Sequence, residues 1–151
     1  MWMQNKLSVV LGAAALTLGA FASTASYARG GDQEIEFRCR ARAPGGVKLA
    51  ARYEERIRRR GSRIKFNAEF EARPGGAFSA GQAISISVDS VQVGTVELAL
   101  SPLGELSGEL ELDSRPQAGH TPLPSNFPDA GEGSTVTAKA NGNEVLSCDL
   151  R

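Results

Sequence analysis

The sequence has few of the residues that most enzyme and metal sites require. It contains one histidine and two cysteines in 151 residues. A Ser-His-Asp triad needs its histidine beside a nucleophile and a carboxylate, but His120 lies among prolines in an irregular stretch. Only His120 could join Cys39 and Cys148 in a metal site. The sequence therefore predicts no metal, no cofactor and no catalysis. An enzyme would require a concave site that gathers His120 with one or more carboxylates.

Long apolar runs are also scarce, and the one present is too short to span a membrane. The run "LSVVLGAAALTLGAFA" has sixteen residues, whereas a spanning helix needs roughly 20. Lys6 precedes it, and "STASYA" follows with Ser26 and Ala28 placed before a cleavage site. We predict a cleavable signal peptide over residues 1–28 and one exported domain, periplasmic or extracellular, over residues 29–151. The alternative is an uncleaved N-terminal anchor.

The two cysteines occupy opposite ends of the predicted exported domain. Exported proteins with an even number of cysteines usually pair them. We therefore predict a disulfide between Cys39 and Cys148. Two buried free thiols are the alternative.

No helical period is visible after the signal segment, and apolar residues alternate in steps of two. The pattern is clear in "EIEFRCRAR", "SRIKFNAEFEA", "AISISV" and "ELSGELEL", and it is typical of strands with one buried face. "SPLGE", "VDSV" and "ANGNE" contain the residues that tight hairpin turns favour. We predict an all-β fold of about eight short strands in an antiparallel β-sandwich or a small barrel. Cys39 and Cys148 fall on inward faces.

One long segment departs from this alternation. Residues 114–133, "SRPQAGHTPLPSNFPDAGEG", are rich in proline, glycine and small polar groups. A segment of this kind is either a crossover between two sheets or a functional loop. It carries His120 and Phe127, and Phe127 has the character of an exposed anchor. An inhibitor- or adhesin-like interaction module that uses this loop is therefore an alternative function.

The chain has no net charge, yet its charges are unevenly placed. Residues 29–73 carry thirteen basic against seven acidic side chains, a balance of +6, and residues 74–151 carry three against ten, a balance of −7. The basic excess peaks in "YEERIRRRGSRIKF", which we predict to be a hairpin with residues 59–62 as its turn. The cations of this predicted tip are Arg56, Arg58, Arg59, Arg60, Arg63 and Lys65.

This register places like charges opposite one another on the outer face. Arg58 lies opposite Arg63, and Arg56 lies opposite Lys65, which is unfavourable within a sheet. Three explanations remain open. The tip keeps the protein soluble and blocks edge pairing; it meets the acidic strand "GELSGELELD" within one molecule or between two; or it docks a polyanion, for which arginine is well suited.

Among polyanions, nucleic acid fits this pattern least well. Single-strand binders place stacking aromatic rings among their cations, and the predicted exposed face of the hairpin has none. We predict a non-catalytic secreted or periplasmic binding or structural envelope protein. Its cationic hairpin engages an anionic polymer or an acidic protein surface.

Overall fold

The structure, a computed structural model, describes residues 32–151, so the predicted signal peptide lies outside the described residues. Eight strands have six or more residues and two have only two. In chain order they are β1 (Gln33–Ala43), β2 (Val47–Arg58), β3 (Gly61–Ala72), β4 (Ala83–Val88), β5 (Val91–Glu97), β6 (Ala99–Leu100), β7 (Leu106–Asp113), β8 (Thr121–Pro122), β9 (Thr135–Ala140) and β10 (Asn143–Asp149).

The strands form two sheets, which confirms the all-β sandwich. One sheet has the order β1-β2-β3-β7-β6, with β8 paired in parallel beside β7, and the other has the order β10-β9-β4-β5. All pairs except β7–β8 are antiparallel. Because the strands pair as two separate sheets and not as one continuous ring, the architecture is a sandwich and not a closed barrel.

The two-residue alternation produces this arrangement because each strand has one apolar face. The side chains that fill the space between the sheets are the most buried in the described chain. The largest of them are Phe66, Phe70, Leu49, Ile84, Ile86, Leu98, Leu106 and Leu150. At roughly 25 cal/mol per Å² of apolar surface removed from water, this shared interior is the main favourable term in folding.

The register of the β2–β3 hairpin differs from the predicted one by two residues. The turn consists of Arg59 and Arg60, with Arg58 opposite Gly61 and Arg56 opposite Arg63. The predicted pairs Arg58–Arg63 and Arg56–Lys65 are therefore wrong. A shift of two keeps every side chain on its own face, so the apolar pattern could not separate the two registers. Gly61 decides between them, because its φ of +112° closes a shorter turn.

The predicted disulfide between Cys39 and Cys148 is present, with its Cα atoms 5.6 Å apart. It joins edge strand β1 of one sheet to edge strand β10 of the other. Beside it, Arg38 and Arg151 exchange two backbone hydrogen bonds of 3.0 and 3.1 Å. One side of the sandwich is therefore closed both covalently and by backbone pairing. Such a bond is compatible with the oxidising environment that exported proteins enter.

Residues 114–133 cross from β7 in one sheet towards β9 in the other, as predicted for a crossover. The expected exposure of Phe127 is wrong. Its ring is half-buried and packs 5.5 Å from the ring of Phe66, against the core. The aromatic ring of Phe127 thus packs the crossover against the core and is not presented to solvent.

Candidate functional site

The outer face of the larger sheet carries many charged side chains. Along β2 and β3 the outward positions alternate with core residues and carry arginine, lysine, glutamate and asparagine. The strands on either side contribute carboxylates, from β1 near the hairpin tip and from β7 along its length. Most of the hairpin's charges can therefore meet opposite charges within the same sheet.

Three of the six tip cations are bound by carboxylates of the chain itself. Arg56 Nε lies 2.7 Å from Glu54 Oε1, and Arg58 Nε lies 3.4 Å from Asp32 Oδ2. Arg63 makes a two-pronged contact with Asp113 from β7. Arg56 and Arg63 are directly opposed, but their paired carboxylates offset the repulsion. The explanation in which the acidic strand meets the basic hairpin therefore describes part of this surface.

Asp113 is the main anchor between the hairpin and the crossover. It is 3% exposed although it points to the outer face. Hydrogen bonds from Arg63 hold the pKa of its carboxyl below its ordinary value, and the backbone N–H of Arg115 donates a further bond of 2.9 Å. The next residue, Ser114, accepts a hydrogen bond from the Ile64 N–H through its side chain. These bonds fix where the crossover leaves the sheet.

A second set of cations at the tip has no carboxylate within ion-pair distance in the described chain. Arg59 and Arg60 form the exposed turn. Arg115 lies against them, with its Nη2 atom 3.4 Å from the Arg60 carbonyl oxygen. In this position the guanidinium sits 2.9 Å from where a side chain at Gly61 would begin. The structure thus places the guanidinium of Arg115, which was not among the predicted site residues, against the turn formed by two other arginines that also lack ion pairs in the described chain.

Below the tip, the sheet and the crossover border an open cavity of about 350 Å³, called the polar cavity because most of its lining residues are charged or polar. Its lining residues come from β2, β3, β7 and the crossover. They are Arg52, Glu54, Lys65, Phe66, Asn67, Glu111, Leu112, Asp113 and His120. Lys65 makes no ion pair among residues 32–151, and neither does Glu111, so the cavity presents unpaired groups of both signs.

Buried Glu54 forms the floor of this site and is the least expected of its residues. It is 6% exposed on a face that the alternation assigns to solvent. Arg52 donates a hydrogen bond of 3.0 Å to it, and Arg56 lies on its other side. Its carboxylate also lies close to those of Glu34 and Glu36. Because arginines surround this acidic group, its charge is already balanced within the sheet.

His120, the other residue predicted for the interaction loop, is exposed and lines the cavity. The structure therefore brings it into one concave site with Glu54, Glu111 and Asp113. No hydrogen bond joins its imidazole to a carboxylate in the part of the chain that the structure describes. Glu54 and Asp113 instead interact with arginines. His120 and Phe127 do not share a surface role, because Phe127 packs on the core.

Fold and surface together define a disulfide-bridged β-sandwich with a cationic hairpin beside a polar cavity. Comparisons with protein-family models, with curated proteins and with solved structures find no match to this chain. No helix within residues 32–151 is long and apolar enough to cross a membrane.

Proposed function

We propose that the protein is an exported, non-catalytic binding protein that engages an anionic polymer through its hairpin tip. The observation that carries this proposal is the position of Arg115 against the turn formed by Arg59 and Arg60, with no carboxylate partner for any of the three among residues 32–151. Folding alone does not require such a cluster, because like charges brought together destabilise the sheet. A guanidinium offers planar, two-pronged donors to carboxylate, sulfate or phosphate groups.

The rest of the hairpin supports the role by holding the tip in place. Arg63 and Arg56 form ion pairs with carboxylates of the sheet, so they join the strands instead of binding a ligand. Lys65 is exposed and unpaired in the described chain, and it adds a cation at the cavity. The anion-binding set is therefore narrower than the six tip residues that the sequence predicts.

Export belongs to the same proposal. The signal-like segment over residues 1–28 and the Cys39–Cys148 disulfide both support an oxidising destination outside the cytoplasm. The mass of the protein recovered from the periplasm or the medium tests this part. A mass that begins near residue 29 supports it, and recovery of the full-length chain in the cytoplasm contradicts it.

Heparin affinity tests the binding role. The triple variant Arg59→Ser, Arg60→Ser, Arg115→Ser should lose affinity roughly ten- to thirtyfold, as expected for three exposed ionic contacts. The matched control removes three other exposed arginines without ion pairs in the described chain, Arg40, Arg42 and Arg73. It should lose less than about threefold, because it changes net charge equally but leaves the tip intact. Equal losses in both variants would show that binding follows net charge rather than this site.

A further inference from the structure

The hairpin tip and the polar cavity are connected by β3. Gly61 ends the turn, and Lys65 lines the cavity four residues later. At 3.2–3.4 Å per residue the two points are about 13 Å apart. Arg63, which lies between them, is bound to Asp113 and holds the strand beside β7. A flexible polymer held at the tip can therefore place its next units in the cavity.

The cavity lining differs from the tip because it mixes cations with hydrogen-bond acceptors. Glu111 is exposed and unpaired in the described chain, and it lies opposite Asn67 on the neighbouring strand. The Asn67 amide group donates a hydrogen bond of 2.6 Å to Glu109, which leaves its own oxygen as an acceptor. The negative charge of a carboxylate repels phosphate groups, whereas carboxylate and amide oxygens both accept hydrogen bonds from hydroxyl groups. Lys65 supplies the opposite charge on the same wall.

These properties distinguish between classes of anionic polymer. A volume of about 350 Å³ is at the small end of ligand sites, which span roughly 300–1,000 Å³. Phe66 is the only aromatic residue other than His120 in the lining and is 1% exposed, so it offers no ring face for a nucleobase. A polymer made only of phosphates would be repelled by the carboxylate of Glu111. A unit that carries both hydroxyls and an acidic group fits the wall better.

We propose that the tip and the cavity form one extended site for an acidic polysaccharide, with a single sugar ring in the cavity. Hydroxyls of that ring donate to Glu111 and to the Asn67 side-chain oxygen, and its acidic group binds Lys65. The neighbouring acidic groups along the polymer bind Arg59, Arg60 and Arg115. This inference rests on the proposed function and adds the class of ligand.

The test compares two polymers whose binding should respond to Glu111→Gln in opposite directions. The probes are an oligogalacturonate, in which each ring carries hydroxyls and a carboxylate, and a linear polyphosphate of matched charge. Binding is measured by titration calorimetry at low salt. The variant should weaken oligogalacturonate binding about three- to tenfold, because a charged hydrogen-bond acceptor is replaced by a neutral, weaker one. It should strengthen polyphosphate binding about two- to threefold, because a repulsive charge is removed.

Glu105→Gln is the matched control. Glu105 is also exposed and unpaired in the described chain, and it does not line the cavity. It should change the two affinities by less than about twofold and in the same direction. Equal responses of both polymers to Glu111→Gln, or binding of polyphosphate alone, would overturn the inference.

The triple tip variant separates this inference from the proposed function. It should weaken both polymers. If it weakens both while Glu111→Gln shifts both in the same direction, the tip binds anions and the cavity does not select sugars. If the triple variant leaves both affinities unchanged, the proposed function itself is wrong.

Discussion

The disulfide between Cys39 and Cys148 should contribute a large part of the stability of this domain. It joins residues 109 positions apart, so it closes a loop that contains most of the described chain. In the chain-entropy model, a loop of that length restricts the unfolded state by about 4–5 kcal/mol. Total stabilities of small domains are about 5–15 kcal/mol. The reduced protein should therefore remain folded in water but with a much smaller margin.

The structure explains why reduction should act mainly on the unfolded chain. Arg38 and Arg151 exchange two backbone hydrogen bonds beside the disulfide, and Leu150 is fully buried between the sheets. These contacts hold the end of the chain against β1 even when the sulfurs are separated. The native structure, including the surroundings of the buried Tyr53, should therefore be the same in the oxidised and the reduced protein.

Urea unfolding of the oxidised and reduced forms measures the difference, with far-UV circular dichroism as the signal. With slopes of roughly 1–3 kcal/mol per M for small proteins, the midpoint should fall by about 1.5–4.5 M. The double variant Cys39→Ala, Cys148→Ala should agree with the reduced form and controls for effects of the reductant. A difference of less than about 1 kcal/mol would refute the reasoning, because it would mean that the unfolded chain is not freed by reduction.

Three further predictions concern the core and the buried acid groups. Gly108→Ala should destabilise the domain by about 1–3 kcal/mol in the same urea assay, because the added carbon would meet the Glu97 carbonyl oxygen at 3.0 Å and the Val96 side chain at 3.1 Å. The control Gly131→Ala places its carbon in open space and should be nearly neutral. Asp113→Asn should cost about 1–2 kcal/mol at pH 7, at the low end for charged hydrogen bonds because the side chain of Arg63 is 31% exposed. Since the folded-state pKa of Asp113 is lowered, this cost should be full above the ordinary aspartate value of about 3.9 and should disappear as the pH falls through the folded-state pKa. A cost that shows no decrease as the pH falls below that ordinary value would contradict the ion-pair explanation. Burial, with a smaller contribution from Glu55, raises the pKa of Tyr53 to about 12, so its phenolate absorbance should appear near pH 12 in the folded domain. Stability should fall as the pH rises above about 10, because the tyrosine of the unfolded chain ionises first. Titration near pH 10 in folded protein would show that Tyr53 is not buried.

The sequence predicted the parts of the fold that depend on side-chain alternation and on turn chemistry. The strand that carries Cys39 has its apolar residues on one face, as expected, and the two-residue turns at Asp89-Ser90 and Asn141-Gly142 both have positive φ values. The hairpin loop in "SPLGE", before β7, also forms, with Leu100 opposite Leu106. Each of these features is decided by neighbours in sequence, so local patterns suffice to predict it.

The site was less predictable because its key contacts join distant residues. The alternation assigns Glu54 and Asp113 to the solvent face, and nothing in the local sequence shows that arginines and the crossover bury them. The position of Arg115 depends on where the crossover leaves β7, and this becomes known only from the three-dimensional pairing of β3 with β7. The two-residue error in the hairpin register has a similar origin, because both registers bury the same residues.

The structure also separates the cations that folding uses from those that remain available for binding. Arg63 is committed to Asp113, so its loss should lower stability. Arg59, Arg60 and Arg115 have no such partners in the described chain, and their mutual repulsion slightly opposes folding. Replacing these three should therefore leave the urea midpoint unchanged or slightly higher while it weakens anion binding. Natural binding sites often show such a conflict between binding and stability, since residues placed for a ligand are seldom the best choice for stability. If the triple variant is instead clearly less stable, the tip cations serve the fold, and the case for a binding surface at the hairpin loses its physical basis.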